Sequence, residues 1–341
     1  MSEEQDLNPG SPAPGSFWLK AVVGLAITGA LVGFLAQYID PKQLASMLVN
    51  IRVDLFLTGF GLWLLLYMAR TWRMVLLAPR TPPLTMFCIA SVHNFLLRLL
   101  PMRTGDLSWA ILVRRAGAAG LGESLLNLLL LRILDITSVL VFFATALLWD
   151  RGGVYQGDHR TGLLWAAAAA GMGLVFILLM GPLLRTGLTV LAWLCALLGL
   201  QDSPRVKGLL DKVGQAVDAF ARARPRVLAM AGISSVVVWL LTYGTFFVGM
   251  RALGLTVSVG QVVLGATGGV VTGFLPGGIG SFGTLEAGWT LGFVLVGLEE
   301  GVAAASGFGV SLITFTYAGI MAAVAWPVLG RLGQSRGDGT E

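Results

Sequence analysis

Two stretches of the chain, Leu100-Pro101-Met102-Arg103-Thr104-Gly105-Asp106 and Leu275-Pro276-Gly277-Gly278-Ile279-Gly280-Ser281, share the pattern Leu-Pro-x-x-x-Gly-polar. Each is flanked on both sides by an apolar segment too short to cross a bilayer. Proline and glycine break helices, and broken backbone at membrane depth is tolerated only where protein buries it or a water-filled cavity borders it. A pair of interrupted segments in corresponding halves is the sequence pointer to a transporter's binding site. A carrier is expected rather than a membrane anchor.

Hydrophobic residues make up 56% of the chain and charged ones 12%, and no soluble core of this length hides so much apolar surface. The apolar runs are long enough to span as helices and lack the alternation of a barrel, so the expected fold is an all-α polytopic membrane protein. Abundant glycine suits helix contacts in lipid. Cys88 and Cys195 sit in apolar stretches and read more readily as buried free thiols than as a disulfide. His93 and His159 make no metal motif, and no cofactor is expected. The basic excess suits cytoplasmic loops rather than nucleic acid.

Residues 1–16, acidic and rich in Pro, Gly and Ser, read as a disordered tail without the basic start of a cleavable signal. About six full spans are expected within one transmembrane domain, 17–330: 17–39, 54–78, 121–149, 161–180, 227–250 and 302–329. Segments 84–115 and 257–298 read as two re-entrant pairs of half-helices. Residues 183–200 read as an interfacial helix, opening a cytoplasmic basic stretch that runs to 226, and 331–341 form a charged tail. Three basic groups orient the chain: Arg70, Arg73, Arg80, Arg114 and Arg115; the positive residues of 205–226; and Arg331 with Arg336. Six spans place all three groups, and both termini, in the cytoplasm. Span, broken pair, span then occurs twice with opposite orientation, over 54–149 and 227–329, as an inverted repeat.

Arg103 lies in the first broken loop, with Arg98 just before it. A guanidinium near membrane depth faces a cavity or a partner, and its planar fork suits a phosphate; the bland alternative is a salt bridge to Asp106 or Asp135. Arg132 and Asp135, three apart on one helix, share a face and can pair, either as a strut or at a substrate. Asp106 reads best as a helix N-cap. Glu286 is either an unpaired carboxylate able to exchange a proton or an acceptor for backbone opened by Gly277 and Gly278. Asn94 reads as an interhelical hydrogen bond, with cavity lining as the alternative. Trp63, Trp72, Trp109, Trp239 and Trp289 read as packing or interface residues. Gly277, Gly278 and Gly280 are not a nucleotide loop, because no strand precedes them and no Lys-Ser/Thr follows.

At these residues the chain resembles the lysylphosphatidylglycerol synthase transmembrane family, also called the flippase-like domain family, over roughly 20–330. The matching positions in the first half are Asn94, Leu99-Leu100-Pro101, Arg103, Gly105, Asp106 (where Glu is usual), Arg114-Arg115, Arg132 and Asp135. In the second half they are Pro276 to Gly280 and Glu286, the last about a turn later than in many members, where the equivalent position is Gly283. The resemblance implies a role in moving lipids, including aminoacylated phosphatidylglycerol and polyprenyl-phosphate sugars. The tail after Leu329 is too short for the family's fused aminoacyl-transferase domain, so no enzyme activity is expected.

The function expected is movement of an anionic or phosphate-bearing lipid across a bacterial inner membrane. Arg103, with Arg98 or Arg132, would hold the headgroup; Asp135 or Glu286 would couple movement to protons. The main rival is a non-transporting partner of a glycosyltransferase or lipid-modifying enzyme, docking through 201–226. A headgroup transferase lacks a visible catalytic set, and charge alone does not separate a lipid carrier from a carrier of soluble anions.

Overall fold

The computed structural model describes residues 41–78, 81–100, 105–115, 121–150, 153–197, 225–274 and 283–337, with a few isolated positions between. The expected first span at 17–39, the loop residues Arg103, Gly277, Gly278 and Gly280, and most of 201–224 lie outside them. The described residues form helices α1 (Pro41–Val49), α2 (Val53–Leu77), α3 (Pro83–Leu99), α4 (Gly105–Arg115), α5 (Leu121–Trp149), α6 (His159–Leu197), α7 (Pro225–Ala252), α8 (Val259–Gly273), α9 (Thr284–Val294) and α10 (Glu300–Gly337).

Four stretches among the described residues are long and apolar enough to cross a bilayer: Val53–Leu77, Leu126–Trp149, Arg226–Ala252 and Glu300–Gly330. At about 1.5 Å per residue, each exceeds the roughly 30 Å of a hydrocarbon core. Their outer faces carry exposed Leu64, Leu65, Met68, Ile233, Val236, Leu240 and Val324, which only lipid solvates well. The protein is a multi-pass membrane protein. Between the long helices come two pairs of short ones, α3 with α4 and α8 with α9, at the two expected breaks. α6 departs from expectation. It runs through Pro182 without a break, so 161–180 and 183–197 are one helix; an interior proline removes one hydrogen bond, which a long helix can lose without ending.

The order long, short, short, long therefore occurs twice, and the packing follows it. α3 packs on α2, α4 and α10; its counterpart α8 packs on α7, α9 and α5. α4 packs on α5 as α9 packs on α10, and α2 packs on α7. The Arg52 N–H donates to the Ala252 carbonyl (3.0 Å) at one end of the α2–α7 seam, and an Arg73 Nη donates to the Ser235 hydroxyl (2.8 Å) near the other. The two equivalent helices are thus antiparallel.

The core is aromatic. Trp63, Tyr67, Trp239, Tyr243, Trp289, Phe293 and Tyr317 belong to one buried cluster. Where α8 meets α9, backbone touches backbone: a Cβ on Gly268 would lie 2.3 Å from the Gly288 carbonyl oxygen, and one on Gly292 would lie 2.0 Å from that of Gly265. Small residues permit this approach, and in lipid close packing replaces much of the hydrophobic drive. Cys88 and Cys195 are free thiols; Cys88 is buried as expected, whereas Cys195 is half-buried.

Candidate functional site

The inward face of α2 builds the site. Gly59, Trp63, Tyr67 and Met74 recur at helical spacing and are buried, while Leu57, Leu64, Leu65, Met68 and Trp72 face outward. Arg70 and Arg73 fall on the inward side. Arg73 is buried and donates through both Nη atoms to the two oxygens of Asp135 on α5, and also to Ser235 on α7. A fork-to-fork contact of this kind offsets the desolvation of both charges and ties three helices together. Arg70 is half-buried; its Nη1 donates to the Asn94 side-chain oxygen at 2.8 Å, and its guanidinium lies over the Tyr67 ring at 5.6 Å.

These residues enclose a polar cavity of about 70 Å³ between α2, α3 and α5, lined by Arg70, Arg73, His93, Asn94, Arg132 and Asp135. Among the described lining residues, three guanidiniums face one carboxylate, so that lining is net positive. His93 Nδ1 and the Ser108 hydroxyl of α4 lie 2.9 Å apart, which joins the α3–α4 pair at the cavity wall. Arg132 sits over the Phe274 ring at the end of α8, 5.8 Å from its centroid. A larger cavity of about 660 Å³ between α5, α7 and α8 is almost wholly apolar, lined by Phe142, Leu240, Tyr243 and Phe247 and bearing Asp150 at its edge. It suits a hydrocarbon, not a charge.

Arg98 closes α3 in its last turn, where a cation favours the helix terminus. Its Nη1 donates to the Thr314 hydroxyl on α10 (3.1 Å), and its guanidinium lies 5.4 Å from the Trp63 ring centroid. Glu286 on α9 is buried. One oxygen accepts the Gly283 backbone N–H (2.6 Å) and the other the Ser311 hydroxyl (2.5 Å). The first is the helix-capping reach of an N3 carboxylate back to the N-cap residue.

Several expectations change. Arg132 and Asp135 share a helix face, but the partner holding both oxygens of Asp135 is Arg73, because α2 brings a fork to the carboxylate from across the bundle. Glu286 is not an unpaired carboxylate, and the backbone it caps is Gly283. Asn94 makes an interhelical bond and lines the cavity as well. Arg70 and Arg73, counted above among the basic residues that orient the chain, are interior residues; the register Gly59, Trp63, Tyr67, Arg70, Met74 was the signal that would have found them. Of the expected tryptophans, Trp63, Trp109, Trp239 and Trp289 are buried and Trp72 is exposed. Asp106 lies in the first turn of α4, and its side chain, like the broken-loop residues Arg103, Gly277, Gly278 and Gly280, falls outside the described residues.

Residues 21–322 match the family model described as the lysylphosphatidylglycerol synthase TM region. The chain belongs to this family. The match covers most of the chain and is to the transmembrane region of that family. No curated protein matches the chain, and no solved structure does.

Proposed function

We propose that the protein moves an anionic or phosphate-bearing lipid across the bilayer, its headgroup passing through the positively lined cavity while the acyl chains stay in lipid. The observation that carries this reading is the cavity itself: Arg70, Arg73 and Arg132 against Asp135, inside a bundle whose outer faces are apolar. Charges at membrane depth are costly and mark pathways for ions and substrates. Membership of a family whose description is tied to lysylphosphatidylglycerol supports a lipid over a soluble anion.

In this reading α3–α4 and α8–α9 are re-entrant pairs belonging to two halves of opposite orientation. The antiparallel α2–α7 seam and the exchange-symmetric packing support it, since such halves can rock about a fixed central site. Both termini face the cytoplasm and the membrane is a bacterial inner membrane. Arg103 and the glycines 277, 278 and 280 lie outside the described residues, and their part in binding the headgroup is proposed from the sequence alone. Asp135 and Glu286 hold structural bonds in the state described here, so proton coupling through either would require those bonds to open.

The test is headgroup accessibility in proteoliposomes, with anionic phospholipids and polyprenyl-phosphate sugars, comparing wild type with Arg103→Ala and Arg132→Ala. Selective movement of one lipid class, lost in the folded variants, is the expected result. A well-folded wild type that moves no lipid, and co-purifies with a glycosyltransferase or lipid-modifying enzyme, would replace the carrier with the partner protein.

A further inference from the structure

Beside the polar cavity, four hydrogen-bond donors gather with too few acceptors. Trp63 and Tyr67 are 2% and 0% exposed; among the described residues the Tyr67 hydroxyl finds no acceptor, and the Trp63 indole N–H has no partner beyond the adjacent Tyr67 oxygen. Their rings lie 5.4 Å apart on successive turns of α2. Even an indole-to-phenol contact would leave the phenol proton without an acceptor. Buried polar groups are nearly always satisfied, so a buried phenol proton without an acceptor calls for an explanation.

The explanation lies in what surrounds them. Arg98 covers the Trp63 ring and Arg70 covers the Tyr67 ring. Both guanidiniums act electrostatically on the Tyr67 hydroxyl, and they act on each other as like charges. Each guanidinium carries five N–H donors. Among the described residues, Arg98 gives a hydrogen bond to Thr314 and Arg70 gives one to Asn94. The nearby carboxylate, Glu286, has both oxygens taken by Gly283 and Ser311. Two cations, one from α2 and one from α3, therefore stand over the adjacent rings that carry these buried donors, and Arg70 also lines the open cavity.

We infer that Trp63, Tyr67, Arg70 and Arg98 form a seat for a phosphate group. A tetrahedral oxyanion offers several acceptor oxygens pointing in different directions, as donors from two helices require, and two guanidiniums neutralise its charge. The source is the phosphodiester of a lipid headgroup, an assignment that rests on the carrier reading above. Free phosphate shares the chemistry and is separated from it by the test.

The full-length protein in detergent is titrated with dihexanoyl phosphatidylglycerol, with inorganic phosphate, and with dihexanoylglycerol, which lacks the phosphate. Binding and thermal unfolding are read for wild type, Tyr67→Phe, Trp63→Phe and Arg98→Gln. Phosphatidylglycerol binding is expected and dihexanoylglycerol binding is not. Tyr67→Phe keeps the ring beneath Arg70 and removes only the orphan hydroxyl, so its affinity falls about tenfold or more while the unliganded protein unfolds at no lower temperature. Competition by inorganic phosphate at similar concentration assigns the seat to free phosphate; none assigns it to the lipid. Wild-type affinity in both Tyr67→Phe and Trp63→Phe, or a marked loss of unliganded stability in Tyr67→Phe, overturns the seat. Lipid movement in proteoliposomes is read on the same proteins. Binding through these residues without movement retains the seat and removes the carrier. Movement at the wild-type rate in variants that fold removes the seat and retains the carrier.

Discussion

Arg98 on α3 and Glu286 on α9 hold the same turn of α10 between them: the guanidinium donates to the Thr314 hydroxyl, and the carboxylate accepts the Ser311 hydroxyl. Neither charge takes the other as its hydrogen-bond partner, although each lies within the other's electrostatic reach. A cation from the first short pair and an anion from the second thus meet through one helix turn. That turn of α10 joins the two pairs of short helices.

Removing the carboxylate should loosen this link. Glu286→Ala leaves the Gly283 N–H and the Ser311 hydroxyl buried without an acceptor, and a loss of about 2 kcal/mol or more is expected. Glu286→Gln retains one carbonyl acceptor and should lose less. Thermal unfolding in detergent orders the three proteins; an alanine variant as stable as wild type would contradict the assignment.

The Arg73–Asp135 pair distinguishes strut from site. Truncating either partner strands a buried charge and should cost about 3–5 kcal/mol, whereas Arg73→Met combined with Asp135→Leu should recover much of that. Lipid movement is then measured on the double variant. A stable, active double variant makes the pair a strut; a stable, idle one makes it part of the passage.

Backbone contact between α8 and α9 leaves no room for a methyl group. Gly288→Ala places its Cβ 2.4 Å from the Gly268 carbonyl oxygen, and backbone cannot yield as a side chain can. Destabilisation at or beyond the upper end of about 1–3 kcal/mol is expected. Gly61→Ala, where nothing lies within 4 Å, should instead be neutral or stabilise α2 by up to about 1 kcal/mol. Expression level and unfolding temperature of the two variants provide the comparison.

Beyond the end of α5, Asp150 fastens the loop to α6. Burial pushes its carboxyl up, but the N–H groups of Tyr155 and Val154 and the His159 ring outweigh burial and hold it below the usual carboxylate range. A depressed folded pKa means the contribution to stability is full above the unfolded value of about 4 and is lost as pH falls through the folded one. Hydrogen exchange at 153–158 should therefore be slower in wild type than in Asp150→Asn near neutral pH. That gap should close in acid. A gap that persists unchanged at low pH would assign the fastening to something other than the charge.

The apolar runs and the two Leu-Pro-x-x-x-Gly-polar motifs made the class of fold and the places of α3, α4, α8 and α9 legible, because length and helix breakers act locally. The pairing of charges was not legible. Arg132 and Asp135 share a helix face, which sequence spacing reveals, but the fork that reaches Asp135 comes from a residue 62 positions away. Arg70 and Arg73 were misread because positive residues near the end of a span resemble loop charges; only the register shared with Trp63 and Tyr67 turns them inward. The continuous α6 was missed because Pro182 is a breaker in general and an interior residue here.

The glycine contacts of α8 and α9 also bear on how such a protein could open. Helices in backbone contact have no side chains between them to absorb a small relative shift, so a displacement of this hairpin would carry α8 and α9 together as one body. Its pivots would then be the chain entering and leaving it, where Gly254 and Gly297 sit with φ of 84° and 86°, backbone angles that a side chain would resist. A bulkier residue at either joint would strain the backbone there without touching a single charge.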